Sequence, residues 1–168
     1  IKYKKNKNIT LKKQTCLVIP EGLLSECFIL FNFSLNCAKL FPNIKFIWRL
    51  HPMVSFAALK EKYSLYRSIP ENVEVSTSRS LEEDFELSHW ALYRGSSTVV
   101  QALLAGLKPL YLKQTMGLEI DPLYELKGWR EEVQNEEDIQ RIMMVPVEFS
   151  NSYKEARKYT EKIFEPFG

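Results

Sequence analysis

Glycine is scarce in this chain, 6 of 168 residues, and the glycines never cluster. That excludes two phosphate cradles, the Walker loop and the Gly-x-Gly-x-x-Gly turn, neither of which occurs. Cysteine is scarce too: Cys16, Cys27 and Cys37 each sit within an apolar run. An odd number without paired ligand spacing argues against a disulfide framework and a zinc site. It leaves three small buried hydrophobes of a cytosolic protein. Cys27 and Cys37, ten apart, fall on differing faces of one helix. With only His51 and His89 available, no His/Cys cluster argues for a metal, and neither a metal nor an organic cofactor is expected. No apolar stretch reaches membrane-spanning length, since the longest, Cys27 to Phe33, is interrupted by Asn32. A net charge of +2 is too small to hold nucleic acid by bulk electrostatics, so no nucleic-acid partner is expected.

What is present is ordinary globular composition, 45% hydrophobic and 26% charged, over 168 residues. That length builds one domain with a real core. The basic run Lys4, Lys5, Lys7, Lys12 and Lys13 is terminal and reads as a solvated lead-in or linker over 1–14. The domain itself is expected over 15–168. The chain begins with Ile1 and shows no signal-peptide pattern. A cytoplasmic piece of a longer protein is expected, with peripheral attachment at the inner membrane face as a variant.

Strand and helix patterns alternate five times. Thr15 to Ile19 is a short continuous apolar run, the mark of a strand buried on both faces. Leu23 to Phe41 carries apolar residues at helical spacing and ends at Pro42. Ile44 to Leu50 is a second strand, followed by a helix over Phe56 to Tyr66. Val73 to Thr77 is a third strand. Ser80 with Glu83 offers a capping box for a short helix to Leu87, whose Glu82, Glu83, Asp84 and Glu86 read as an exposed face. Trp90 to Tyr93 is the fourth strand, Thr98 to Ala105 a helix stopped by Gly106, and Pro109 to Leu112 the fifth strand. A turn of helix over Asp121 to Leu126 and helices over Asn135 to Met143 and Ser150 to Phe164 complete the pattern. The alternation predicts an α/β, Rossmann-like fold: a mostly parallel sheet with helices on both faces.

Ligands of open α/β sheets sit beyond the carboxyl ends of the strands, at a switch in strand order. The polar features lie at those ends: Glu21 and Gly22 after strand one, His51 and Pro52 after strand two, Ser76 to Ser78 after strand three, Gly95 to Thr98 after strand four. The turn Gly95-Ser96-Ser97-Thr98 aims backbone N–H groups and hydroxyls at one point, where a phosphate fits. Thr98 with Gln101 suits a capping box, which leaves Ser96 and Ser97 spare, and Gly95 lets a ligand approach the backbone. His51 can donate to a phosphate and offset charge on a departing one. Arg49 either pairs with a buried carboxylate or reaches the ligand. Gly22, Glu119 and Asp121 are further candidates, the two carboxylates as acceptors for ribose hydroxyls. His89 reads as a helix C-cap or surface residue.

On these residues the chain resembles the C-terminal, nucleotide-sugar-binding half of GT-B-fold glycosyltransferases. Within that group it is similar to bacterial surface-carbohydrate and capsule enzymes, including the bacterial sialyltransferases. Their HP and SS motifs match His51-Pro52 and Ser96-Ser97. The resemblance covers about Cys16 to Leu112. It implies that Ser96 and Ser97 hold the donor phosphate and that His51 assists its departure. It implies a CMP-, UDP- or CDP-linked sugar donor and a missing N-terminal domain that holds the acceptor, so this chain alone is expected to bind without turnover. Glycerol-phosphate polymer transferases and nucleotide-sugar 2-epimerases carry related His-Pro and serine turns. A nucleotide-binding module is the non-enzyme alternative.

Overall fold

The computed structural model describes residues 14–114, 120–145 and 151–164. Its elements run β1 (Gln14–Ile19), α1 (Leu24–Leu40), β2 (Ile44–Arg49), α2 (Phe56–Lys62), a 3-10 turn (Ser64–Arg67), β3 (Val73–Ser76), α3 (Leu81–Leu87), β4 (Trp90–Tyr93), α4 (Thr98–Leu104), β5 (Lys108–Leu112), β6 (Glu131–Val133), α5 (Glu136–Met143) and α6 (Asn151–Ile163). The strands form one sheet in the order β3-β2-β1-β4-β5-β6, and every adjacent pair is parallel. The expected Rossmann-like architecture is therefore what forms. The basic run at the N-terminus lies outside the described residues, and β1 begins at Gln14.

Alternate side chains of each strand enter two cores. Cys16, Val18, Phe46, Trp48, Trp90 and Leu92 pack with α1, α2 and α5. Leu17, Ile19, Ile47, Ala91 and Tyr93 pack with α3, α4 and α6. Burial on both faces explains why the strands read as unbroken apolar runs rather than as alternation. Cys27 and Cys37 both enter the first core with Cys16, so the helix does not split them between faces. Burial pushes all three thiols up, Cys27 to about 11, and none is a thiolate nucleophile at neutral pH.

Three local readings need correction. The sheet has a sixth strand, β6, whose Glu-Glu-Val sequence at the sheet's edge carries no apolar signal. The helix after β2 stops at Lys62, with Tyr63 extended before the 3-10 turn. His89 is not a cap: Ser88 is the C-cap of α3, and His89 Nδ1 accepts from the Thr15 amide at 3.4 Å.

Asp84 is not on an exposed face; it is 0% exposed. Its Oδ2 accepts from Arg49 Nη1 at 2.8 Å and from the Ser76 hydroxyl at 2.6 Å, and its Oδ1 accepts from Arg79 Nε at 2.7 Å. Arg79 also bonds Glu74, which Lys45 pairs at 2.7 Å. This network ties α3 to the carboxyl ends of β2 and β3. Burial alone would raise the Asp84 carboxyl, but hydrogen bonds from Ser76, Arg79 and Arg49 overcome it and hold the group below its ordinary value. Asp84→Asn should cost about 2–4 kcal/mol at pH 7 by urea unfolding, toward the lower part of the buried-pair range because the two guanidinium side chains keep 26% and 25% of their surface in water. A depressed carboxyl contributes fully above about pH 4 and loses its contribution as pH falls through the depressed value. The gap between wild-type and variant stabilities should therefore narrow as pH falls below about 4, and a gap that does not narrow with acidification would contradict the network.

Candidate functional site

Strand order reverses between β1 and β4. From β1 the sheet grows through β2 to β3; from β4 it grows through β5 to β6. The loops leaving β1 and β4 therefore head to opposite faces and open a crevice at the carboxyl edge. The Ile19↔Tyr93 and Val18↔Trp48 pairings bring three strand ends level there.

Two glycines show how closely the loops meet. A Cβ added at Gly22 would stand 2.8 Å from His51 Nδ1, so the imidazole lies against the β1–α1 loop. A Cβ added at Gly95 would stand 2.0 Å from Glu21 Oε1 and 3.3 Å from the Ile120 carbonyl oxygen. His51 and the Gly95 turn thus flank one dipeptide, Glu21-Gly22. The space above Gly95 is filled by the carboxylate of Glu21, one of the polar residues expected at the end of the first strand.

The serine turn differs from expectation in its capping. Ser97, not Thr98, is the N-cap of α4, and its side chain makes no cap bond. The Thr98 amide instead donates to Ser96 Oγ at 3.3 Å. Ser96 is therefore engaged as an acceptor and still has its O–H to donate. Ser96 is buried, Ser97 is exposed and Thr98 lies between. Since Thr98 is already the first helical residue, a Thr98–Gln101 box cannot form.

His51 Nδ1 accepts from the Met53 amide at 3.1 Å. That bond places the neutral ring's proton on Nε2, which is left as the donor. Arg49 takes the buried-carboxylate alternative: Nη1 bonds Asp84 at 2.8 Å and the Arg79 carbonyl at 2.9 Å. Asp121 is not a free acceptor for ribose. It is 8% exposed; Oδ1 accepts from Tyr93 O–H at 2.9 Å and the Leu123 amide at 2.8 Å, and Oδ2 from Arg130 Nε at 3.0 Å and from Arg130 Nη2. Glu119 lies outside the described residues.

Arg94, the last residue before the turn, is not among the candidate site residues that the sequence offers. It is 6% exposed. Among the described residues, no group of three or more metal-ligating side chains forms, and no helix is long and apolar enough to cross a membrane.

With this geometry in view, the chain can be set beside known proteins. No protein-family model matches it, and no curated sequence does. Solved structures do. The glycotransferase of kitacinnamycin superposes with a TM-score of 0.60 at 13% identity, over 95% of this chain and 41% of that one. The glycosyltransferase SnogD from Streptomyces nogalater gives 0.59 at 16%, over 90% and 40%. A UDP-N-acetylglucosamine 2-epimerase from Listeria monocytogenes, so described provisionally, gives 0.53 at 10%, over 95% and 43%. The chain has the fold of a GT-B glycosyltransferase domain. It spans about two fifths of the length of each of these three proteins.

The loop contact is open to test. In Gly22→Ala the new methyl must push the imidazole away and weaken the Met53 bond. The ring nitrogen resonances of His51 should move from a mainly Nε2–H pattern toward tautomer averaging. An unchanged pattern would show that the ring does not lean on Gly22.

Proposed function

We propose that this chain is the nucleotide-sugar-binding half of a glycosyltransferase, of the kind that builds bacterial surface polysaccharide in the cytoplasm. The observation that carries the reading is the meeting of the His51 ring and the Gly95–Thr98 turn across Glu21-Gly22 at the strand-order switch. The GT-B fold and the glycosyltransferase neighbours support it, as do the His-Pro and Ser-Ser pairs shared with bacterial sialyltransferases. Such a domain works with a second one that presents the acceptor.

On this reading, the Ser96 and Ser97 hydroxyls donate to the phosphate that carries the sugar. An acceptor hydroxyl bonds the anomeric carbon and gives its proton to a base of the second domain; the bond from that carbon to the phosphate oxygen breaks, and its electron pair leaves with the phosphate. The Nε2–H of His51 donates to the departing group and offsets the charge that develops. These contacts are of most use if they are stronger to the leaving phosphate than to the intact donor. A 2-epimerase breaks the same bond, and the Listeria structure keeps that reaction as the second reading. It would need acidic catalytic residues; Asp84 and Asp121 are both committed to guanidinium groups, which leaves Glu21, whose carboxylate lies against Gly95, as an acidic group in the crevice.

Calorimetric titration with UMP, CMP, UDP, CDP and GDP tests the reading. Each charge-assisted hydrogen bond to phosphate is worth roughly 1.5–3 kcal/mol. Ser97→Ala, which disturbs no internal bond, should weaken binding about tenfold, and Ser96→Ala/Ser97→Ala about a hundredfold. His51→Ala should weaken it about fivefold or more. Binding that survives the double serine substitution unchanged would remove the turn from the site.

A further inference from the structure

We propose that Glu21 gives the crevice a charge preference: its carboxylate stands beside the serine turn and disfavours a doubly charged phosphate relative to a singly charged one. This rests on the nucleotide-sugar reading above and adds a residue that tells the intact donor from the nucleotide released from it.

Contact with backbone fixes where the carboxylate is. A Cβ added at Gly95 would stand 2.0 Å from Glu21 Oε1 and 2.8 Å from its Cδ. The oxygen therefore lies against the Gly95 Cα. Ser96 and Ser97 follow directly, and each residue step spans about 3.8 Å between Cα atoms. A phosphate held by those hydroxyls thus has the carboxylate within about 4–8 Å. The loop that carries Glu21 is itself anchored: the Glu21 carbonyl accepts from Cys27 Sγ at 3.6 Å, and Gly22 packs against the His51 ring.

The carboxylate keeps its full charge at that place. Among the described residues no group donates a hydrogen bond to it and no cation pairs with it. Cations at the same edge of the sheet are turned to other carboxylates: Arg94 to Glu26 at 3.5 Å, Arg49 to Asp84 at 2.8 Å and Arg130 to Asp121.

The chemistry of the ligand makes this charge selective. In a nucleotide sugar the phosphate that bears the sugar is esterified on both sides and carries one negative charge. When the carbon–oxygen bond breaks, the oxygen keeps the electron pair, and the same phosphate becomes a terminal group with a second pKa of about 6. At about pH 7.5 it is mainly a dianion. Glu21 is half-buried, so water screens it well. At a separation of about 6 Å in such a medium, one pair of like charges weakens binding about threefold, and two such pairs about tenfold. The repulsion works against charge developing on the leaving group, which the His51 Nε2–H offsets, and it favours release of the product once the bond is broken.

Titration of the 168-residue chain at about pH 7.5 with UMP, CMP and the 5′-methyl phosphodiester of each, alongside the thermal midpoint of each variant, tests this. Glu21→Gln should tighten the monoesters about tenfold and the methyl diesters about threefold. Glu21→Ala should do the same, so that a folding defect in one variant does not hide the effect. Glu21→Asp keeps the charge and should hold the ratio between the two classes within about twofold of wild type. The gain on Glu21→Gln should shrink in about 0.5 M salt, where the repulsion is screened; a loop disturbed in shape alone would not respond in this way. An equal change for both classes, no change, or a larger gain for the diesters would overturn the charge preference. In that case weaker binding of both classes by Ser97→Ala would leave the nucleotide reading standing. Absence of binding of all four probes, by wild type and by Glu21→Gln, would overturn both.

Discussion

All six strands run the same way, so every strand ends on one edge of the sheet. Between β1 and β4 the direction of growth reverses, and no crossover covers the gap. Every other feature of the site follows from that constraint. It brings Glu21-Gly22, His51-Pro52 and Arg94 to Thr98 into one place although up to 77 residues of sequence separate them. It also explains two glycines: an imidazole and a carboxylate occupy the space where their side chains would be.

Polar groups along this edge divide into those already satisfied and those not. Asp84 holds Arg49, Arg79 and Ser76, and Asp121 holds Tyr93 and Arg130. Buried pairs of this kind fix loops in place while adding little net stability. Between the two networks lie further groups with hydrogen bonds still to make: the Nε and Nη1 nitrogens of Arg94, the exposed hydroxyl of Ser97 and Nε2 of His51. The Asp84 and Asp121 networks hold β2–β3 and β5–β6 on either side, although Arg79 Nη2 within the first, and Trp90 Nε1 at the start of β4, are also buried without a hydrogen-bond partner.

Much of the fold was legible because strands buried on both faces read as apolar runs, and because Ser80, Asn135 and Gly106 mark helix ends by local chemistry: two accept side-chain cap bonds and the glycine has φ of 96°. β6 was not legible, since three polar-leaning edge residues carry no pattern. The candidate site was legible in its strand-end placement and in its His-Pro and Ser-Ser pairs. The partners of its charges were not. Nothing local distinguishes Asp84 from Glu82 and Glu83; only the arrival of Arg49 from 35 positions away makes it a core residue. The burial of Arg94 and the approach of Glu21 to Gly95 were not legible for the same reason, as both depend on α1 and the Gly95 turn coming together in the fold. The exchange of Ser97 for Thr98 as N-cap is a one-residue shift in helix start, too fine for sequence pattern.

Amide chemical-shift mapping of the chain on addition of UDP tests most directly whether the reversal point is where a nucleotide binds. Shifts should move together in residues 20–26, 51–53 and 94–98, which are far apart in sequence and joined only by this crevice. Shifts confined to residues 111–113 and 120–132, or no shifts at all at millimolar ligand, would contradict the account.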